Sequence, residues 1–399
     1  MQRQDVRVRQ PVNYSQPKRG RSWLIALPFL GLVLIAFGWS VFWFFAASRV
    51  GPALEGWRAR EAKAGRIHSC VQQDIGGYPF RIEVSCTGPS MEFQPGSTRG
   101  LPASGRSIML GAKNVAVVAQ VYDPKHLIAE VAAPMTFGEK GQPATARANW
   151  ALAQVSVRGT PQAPERVSIS IDKGELANFN RGTMELVATA AHAELHGRIA
   201  SGTVNDNPAV ELVMRLNGAL APALHPVLAQ PSDSDIDAVL TGLKDFAPKP
   251  WSDRFREIAA NNGRIDVKQA RFSQGEILAV GSGTLGINQS GKLDGQLTLT
   301  VAALDKLITA LGVDQMVSQY LSQKGGVNTD KIASGLDRIL PGLGGAVRNN
   351  SGGLAAVGIS MLGQPTELEG KKAVSLPLKF TDGAVYLGPI LVGQTQALF

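Results

Sequence analysis

The chain has 399 residues, 44% of them hydrophobic and 18% charged, a composition that supports a large folded core and rules out an intrinsically disordered chain. Its formal net charge of +8 sits mostly in the N-terminal tail, where Arg3, Arg7, Arg9, Lys18, Arg19 and Arg21 face only Asp5. That tail carries +5 of the total, so the rest of the chain shares +3, and no folded basic surface of the kind that binds nucleic acid is visible.

The tail (residues 1–22) runs into Trp23–Ala47, a stretch without a single charge. As a helix this segment would reach about 37 Å, enough to cross a bilayer. Trp23 lies at one end and Trp39 and Trp43 toward the other, as interfacial aromatics do. The segment exceeds the apolar region of a cleavable signal, although Ala46-x-Ser48 offers a weak cleavage site. The expectation is a signal anchor, with the basic tail in the cytoplasm and residues 48–399 outside it.

Residues 49–65 read as a short separate helix with an apolar stripe of Val50, Leu54 and Trp57, ended by Gly65. Next comes "SCVQQDIGGYPFRIEVSC", which holds Cys70 and Cys86, the only cysteines. Outside the cytoplasm two cysteines point to a disulfide. "RIHSCVQ" and "FRIEVSC" alternate like strands around Gly76, Gly77, Tyr78 and Pro79, and pairing residue 70 with 86 centres the hairpin on Tyr78. A redox pair would favour CxxC spacing, and zinc would need more ligands than His68 adds.

Period-two alternation then recurs. Val167, Ile169 and Ile171 point away from Ser168, Ser170 and Asp172; Val210, Leu212, Met214 and Leu216 repeat the pattern, as do Leu297, Leu299 and Val301. "NVAVVAQVY", "HLIAEVAAPMTF", "VSLPLKF" and "AVYLGPILVG" are further strands. Helices are expected at 232–246, with Ser232 or Ser234 as N-cap and a stripe of Ile236, Val239, Leu240, Leu243 and Phe246; at 251–263, with Ser252 as N-cap and Asn262-Gly263 as stop; and over 302–340. The fold class is therefore mainly β with embedded helices: long curved antiparallel sheet packed on helices, plus one N-terminal transmembrane helix. Residues 48–399 read as one β-rich unit, with a subdomain boundary near 230 as the alternative.

Lookalike motifs carry little. "GSGTLG" (residues 281–286) fits G-x-G-x-x-G but lies among strands, where glycines serve bulges or close packing. His192, Glu194 and His196 would share one strand face, more simply a wet face than a metal site. His126 and His225 are isolated, and no catalytic constellation assembles, so neither an enzyme nor a cofactor is expected. The terminal Phe399 is taken as incidental.

The "FFAASRVGPALEGWRAREAKAGR" juncture, "GGYPFRIEVSC" and "DGAVYLGPILVG" together resemble the bacterial family called domain of unknown function 2125. The resemblance implies that Cys70 and Cys86 match the family's cysteine pair, and that Gly77, Tyr78, Pro79, Phe80 and Arg81 match its turn motif. It transfers no activity. Residues 262–311 are similar in rhythm to the AsmA-like proteins, which are anchored in the inner membrane and linked to lipid movement and envelope assembly. What these likenesses imply is a bacterial inner-membrane protein with its bulk in the periplasm. Two functions follow. Leu297, Leu299 and Val301 would line an apolar groove for lipid, or the same face would be filled by helices (Ile236 to Phe246 and Leu304 to Ile339) in a scaffold that binds envelope proteins.

Overall fold

The computed structural model describes residues 23–94, 106–160, 163–180, 183–204, 207–224, 226–246, 251–310, 363–387 and 390–399. The basic tail, His225 and the expected helices over 311–340 lie outside the described residues.

The chain opens with one helix, α1 (Trp23–Lys63), of 41 residues. No break separates the uncharged segment from the juxtamembrane segment, which corrects the expectation of two helices. The helix passes through Pro52, and it ends where Gly65 takes φ 78°, a conformation glycine adopts without strain.

Among the described residues nineteen strands follow in one sheet, and every pairing is antiparallel. β1 (Arg66–Ser69) and β2 (Gln72–Gly76) form one broken strand against β4 (Ser90–Phe93) and β3 (Arg81–Thr87). β5 (Ile108–Gln120) pairs with both β3 and β4 and then with β6 (Asp123–Glu139). β7 (Ala146–Asn149) and β8 (Leu152–Thr160) lie end to end between β6 and β9 (Ala163–Asn180). From there the sheet meanders through β10 (Thr183–Val204), β11 (Asn207–Ala219), β12 (Ser232–Leu240), β13 (Arg264–Gln274), β14 (Ile277–Ile287) and β15 (Leu293–Ala302). β15 pairs with β17 (Lys371–Thr381), whose other edge takes β16 (Gln364–Leu368) and β18 (Ala384–Leu387), with β19 (Ile390–Gln394) last. The sheet runs through residue 230 without interruption, since Val210 faces Leu240 across β11 and β12.

Residues 232–240 are strand β12, not the expected helix. Ile236, Ala238 and Leu240 alternate with Asp235, Asp237 and Val239, and that period of two is satisfied by β11 on one side and β13 on the other. The acidic first turn and the helical spacing of apolar residues were a coincidental match. Leu243 does pack, but from an irregular segment: it forms a buried cluster with Ile258 and Ile287, joined by Phe246, Phe255 and Phe399. Ile258 comes from α2 (Trp251–Ala260), which ends as expected at Asn262-Gly263, with the Gly263 N–H bonded to Ile258 O at 2.7 Å. Ser252 lies inside its first turn rather than capping it, and its Oγ makes no hydrogen bond among the described residues. Phe399 is not incidental: it packs in this cluster with the Arg256 guanidinium 5.0 Å from its ring. Of the helical block only α3 (Leu304–Ala310) is described.

The Gly281–Gly286 stretch is strand throughout, within β14. A Cβ on Gly283 would come 2.3 Å from Gln296 O, so this glycine serves close strand approach.

Candidate functional site: an apolar sheet face that starts at the N-terminal helix

Because directly opposed residues of neighbouring strands point to the same side, the register sorts the whole sheet into two faces. One transverse row runs Ile75, Val84, Val117, Ala129, Val155, Ile169, Leu195, Met214, Ile236, Ala270, Gly281, Leu299, Leu376. No member is polar. The row displaced by one residue, on the opposite face, runs Asp74, Ser85, Ala116, Glu130, Gln154, Ser170, Glu194, Arg215, Asp235, Arg271, Val280, Thr300, Ser375. Only Ala116 and Val280 interrupt its polarity. At about 4.8 Å per strand the apolar row is roughly 58 Å long.

Its two ends differ. Toward β17 the face is closed: Val301 is 0% exposed and Leu376 1%. Gly363 lies against it, where a Cβ would meet Val374 Cγ1 at 2.1 Å. Toward the N-terminal strands it is open. Ile75 is 38% exposed and Leu195 43%, although Leu195 sits on a strand paired on both sides and Ile75 on one flanked by helix. Leu297 and Leu299 are half-buried and face Leu378 and Leu376, so the expected groove residues lie on this face near its closed end, with Val301 inside it.

The open end meets α1. The turn between β2 and β3 requires Gly77, whose φ is 100° and where a Cβ would lie 2.7 Å from Arg81 O. The turn rests on the helix. Trp39 Nε1–H donates to Pro79 O at 2.7 Å and Trp43 Nε1–H to Arg81 O at 2.8 Å, while Ser40 Oγ and Tyr78 OH are 2.8 Å apart. Trp43 is 5% exposed and meets the Tyr78 ring edge-on at 5.4 Å. Further along α1, the Trp57 ring lies tilted against that of His68 at 4.5 Å, Arg58 donates to Gln73, and Glu61 holds Arg66 in a two-pronged pair. The Arg66 hydrogen bond, against the cost of burial, keeps the Glu61 carboxyl below its ordinary range. The helix thus covers the edge that β1 and β2 would otherwise leave unpaired. Sequence reasoning placed Trp39 and Trp43 in an aromatic belt but missed their bonds to the turn; indole donors beside an interfacial glycine turn were the signal.

The Cys70–Cys86 disulfide is present, with Cα atoms 5.8 Å apart. The register differs from the expected one: Gln73, not Cys70, faces Cys86. Cys70 sits in the break between β1 and β2, where the ladder is interrupted at Val71 and Gly88, so the bond staples the first hairpin across that break.

On the polar face His192 Nδ1 lies 2.5 Å from Asp172 Oδ1 and its Nε2 3.0 Å from Glu194 Oε1, with His196 Nε2 3.3 Å from Glu194 Oε2. The groups satisfy one another, and no metal-holding cluster is found among the described residues. Hydrogen bonds to Glu194 and then Asp172 raise the His192 pKa, and those from His192 and His196 lower that of Glu194. Beside them Arg158, Arg166 and Arg198 face one another directly across β8, β9 and β10, and they border a half-open cavity of about 470 Å³ with His126 and Ser168. Two serine–histidine pairs border it, with His126 Nε2 2.9 Å from Ser156 Oγ and His196 Nδ1 2.9 Å from Ser168 Oγ.

A family model described as an uncharacterized protein conserved in bacteria (DUF2125) matches residues 43–396. The chain belongs to the DUF2125 family. The match covers the turn, the disulfide and nearly all of the sheet, and it begins at Trp43, the residue that joins helix to turn. The AsmA-like likeness of residues 262–311 is not shown by it. No curated protein matches the chain.

Proposed function

We propose that this DUF2125 protein is a single-pass inner-membrane protein whose sheet, in the periplasm, shelters lipid acyl chains on its apolar face and takes part in envelope assembly. α1 is long and apolar enough to cross a membrane, and the disulfide fits an oxidising compartment. The basic tail favours a cytoplasmic N-terminus. The observation that carries the lipid reading is the unbroken apolar row from Ile75 to Leu376, open beside the membrane helix and closed at the far end. Exposed aliphatic surface of this extent calls for an apolar occupant. The reading is non-enzymatic.

The second reading is a scaffold that binds protein partners, favoured by the fully buried Val301 and Leu376. Residues 194 and 195 separate the two, being adjacent on β10 but on opposite faces. A photoreactive benzoylphenylalanine at Leu195 of the full-length chain, irradiated in cells, is expected to capture lipid, and the same probe at Glu194 is not. Equal labelling at both positions, or protein adducts alone at Leu195, overturns the lipid reading.

A further inference from the structure

We infer that the tips of the first two hairpins are a second membrane contact, seated in the outer-leaflet interface beside α1. This rests on residues 23–47 spanning the bilayer, not on the groove. Trp39 lies about 12 Å of helix before Ala47, the end of the uncharged segment. The hydrocarbon layer is about 30 Å thick and the segment about 37 Å long, so Trp39 falls at or below headgroup level wherever the span is centred. Whatever is fixed to Trp39 is carried to that depth. The β2–β3 turn is fixed to it by three polar contacts, from Trp39, Ser40 and Trp43.

The turn is built for such a place. Several of its polar groups are met within the junction: Pro79 O and Arg81 O accept from the two indoles, the Tyr78 hydroxyl has Ser40, and Pro79 brings no N–H. Backbone at membrane depth must be satisfied internally. The second tip follows the first, because Val121 N–H donates to Phe80 O at 3.1 Å. Three rings remain exposed at the tips, Tyr78 53%, Phe80 65% and Tyr122 68%, beside the exposed Arg81 and Lys125, cations suited to headgroup phosphates. Tyrosine and phenylalanine exposed side by side in water gain nothing, whereas rings at headgroup level are favourable.

The test places benzoylphenylalanine singly at Val41, Phe80, Tyr122 and Trp251 of the full-length chain in phosphatidylethanolamine–phosphatidylglycerol vesicles. Trp251, 72% exposed on α2, is the control for an aromatic facing water. Lipid adducts at 41, 80 and 122, several-fold above those at 251, are expected. Adducts at 41 with 80 and 122 no higher than 251 overturn the inference while leaving the anchor. No adducts at 41 remove the anchor and the inference with it. Each probe replaces an exposed residue, and an intact Cys70–Cys86 bond by mass verifies the fold.

Discussion

Trp43 and Arg81 are 38 residues apart in sequence and joined by a 2.8 Å hydrogen bond from the indole to the backbone carbonyl. This bond and the burial of the ring couple α1 to the first hairpin. Replacing Trp43 by Ala removes both, at a cost of about 3 kcal/mol. Hydrogen exchange over residues 72–87 should then rise well above that of β13 and β14. Trp43→Phe keeps most of the packing and is expected to cost about 1 kcal/mol, the net value of one hydrogen bond. Unchanged exchange in Trp43→Ala would show that the hairpin does not depend on the helix.

Thiol alkylation without reductant should leave Cys70 and Cys86 unlabelled in protein taken from the cell envelope. The paired Cys70→Ala, Cys86→Ala variant is expected to lose about 3 kcal/mol, the chain-entropy value for a loop of this length. The loss should show in a denaturant midpoint. Free thiols in the exported protein would remove both the bridge and the support it lends to an oxidising compartment.

The closed and open parts of the apolar face should respond differently to truncation. Val301→Ala empties a site that is 0% exposed, and about 2 kcal/mol should go with it. Leu195→Ala, at a position 43% exposed, should cost under about 1 kcal/mol. Equal costs in chemical denaturation would mean that the face is as tightly filled at β10 as at β15.

The His192–Glu194 pair makes a pH prediction. The raised His192 pKa gives a contribution present in full below the ordinary histidine value of 6.5 and lost as pH rises through the higher folded value. The lowered Glu194 pKa gives a contribution present above the ordinary 4.5 and lost as pH falls through the lower folded value. Both are therefore complete between pH 4.5 and 6.5. The groups are at the surface, so the gain is under about 1 kcal/mol. An NMR titration should place His192 above 6.5 and, in Glu194→Gln, move it down; no movement would break the link.

Arg166 faces Arg158 on one side and Arg198 on the other. Like charges directly opposite on neighbouring strands repel. Arg166→Glu should therefore stabilise the sheet, by about 0.5 kcal/mol in urea unfolding. A loss instead would show that the arginine row is held by interactions other than those of the bare sheet.

The sequence by itself determined the long apolar N-terminal segment, the two-faced strands and the cysteine pair. A long charge-free run and a period of two are local properties, legible wherever side chains alternate. It misled at residues 232–240, because apolar residues there fit both a helical stripe and an alternating strand, and only the neighbours β11 and β13 decide between them. It also placed the first hairpin out of register, since a turn motif marks where the chain reverses but not which residues face each other. The tertiary structure alone decided that thirteen apolar residues from thirteen strands line up in one row, because a strand's pattern names its faces but not its partners. It alone brought Trp39 and Trp43 onto the Tyr78–Arg81 turn, a contact between side-chain donors and distant backbone carbonyls that no local pattern encodes.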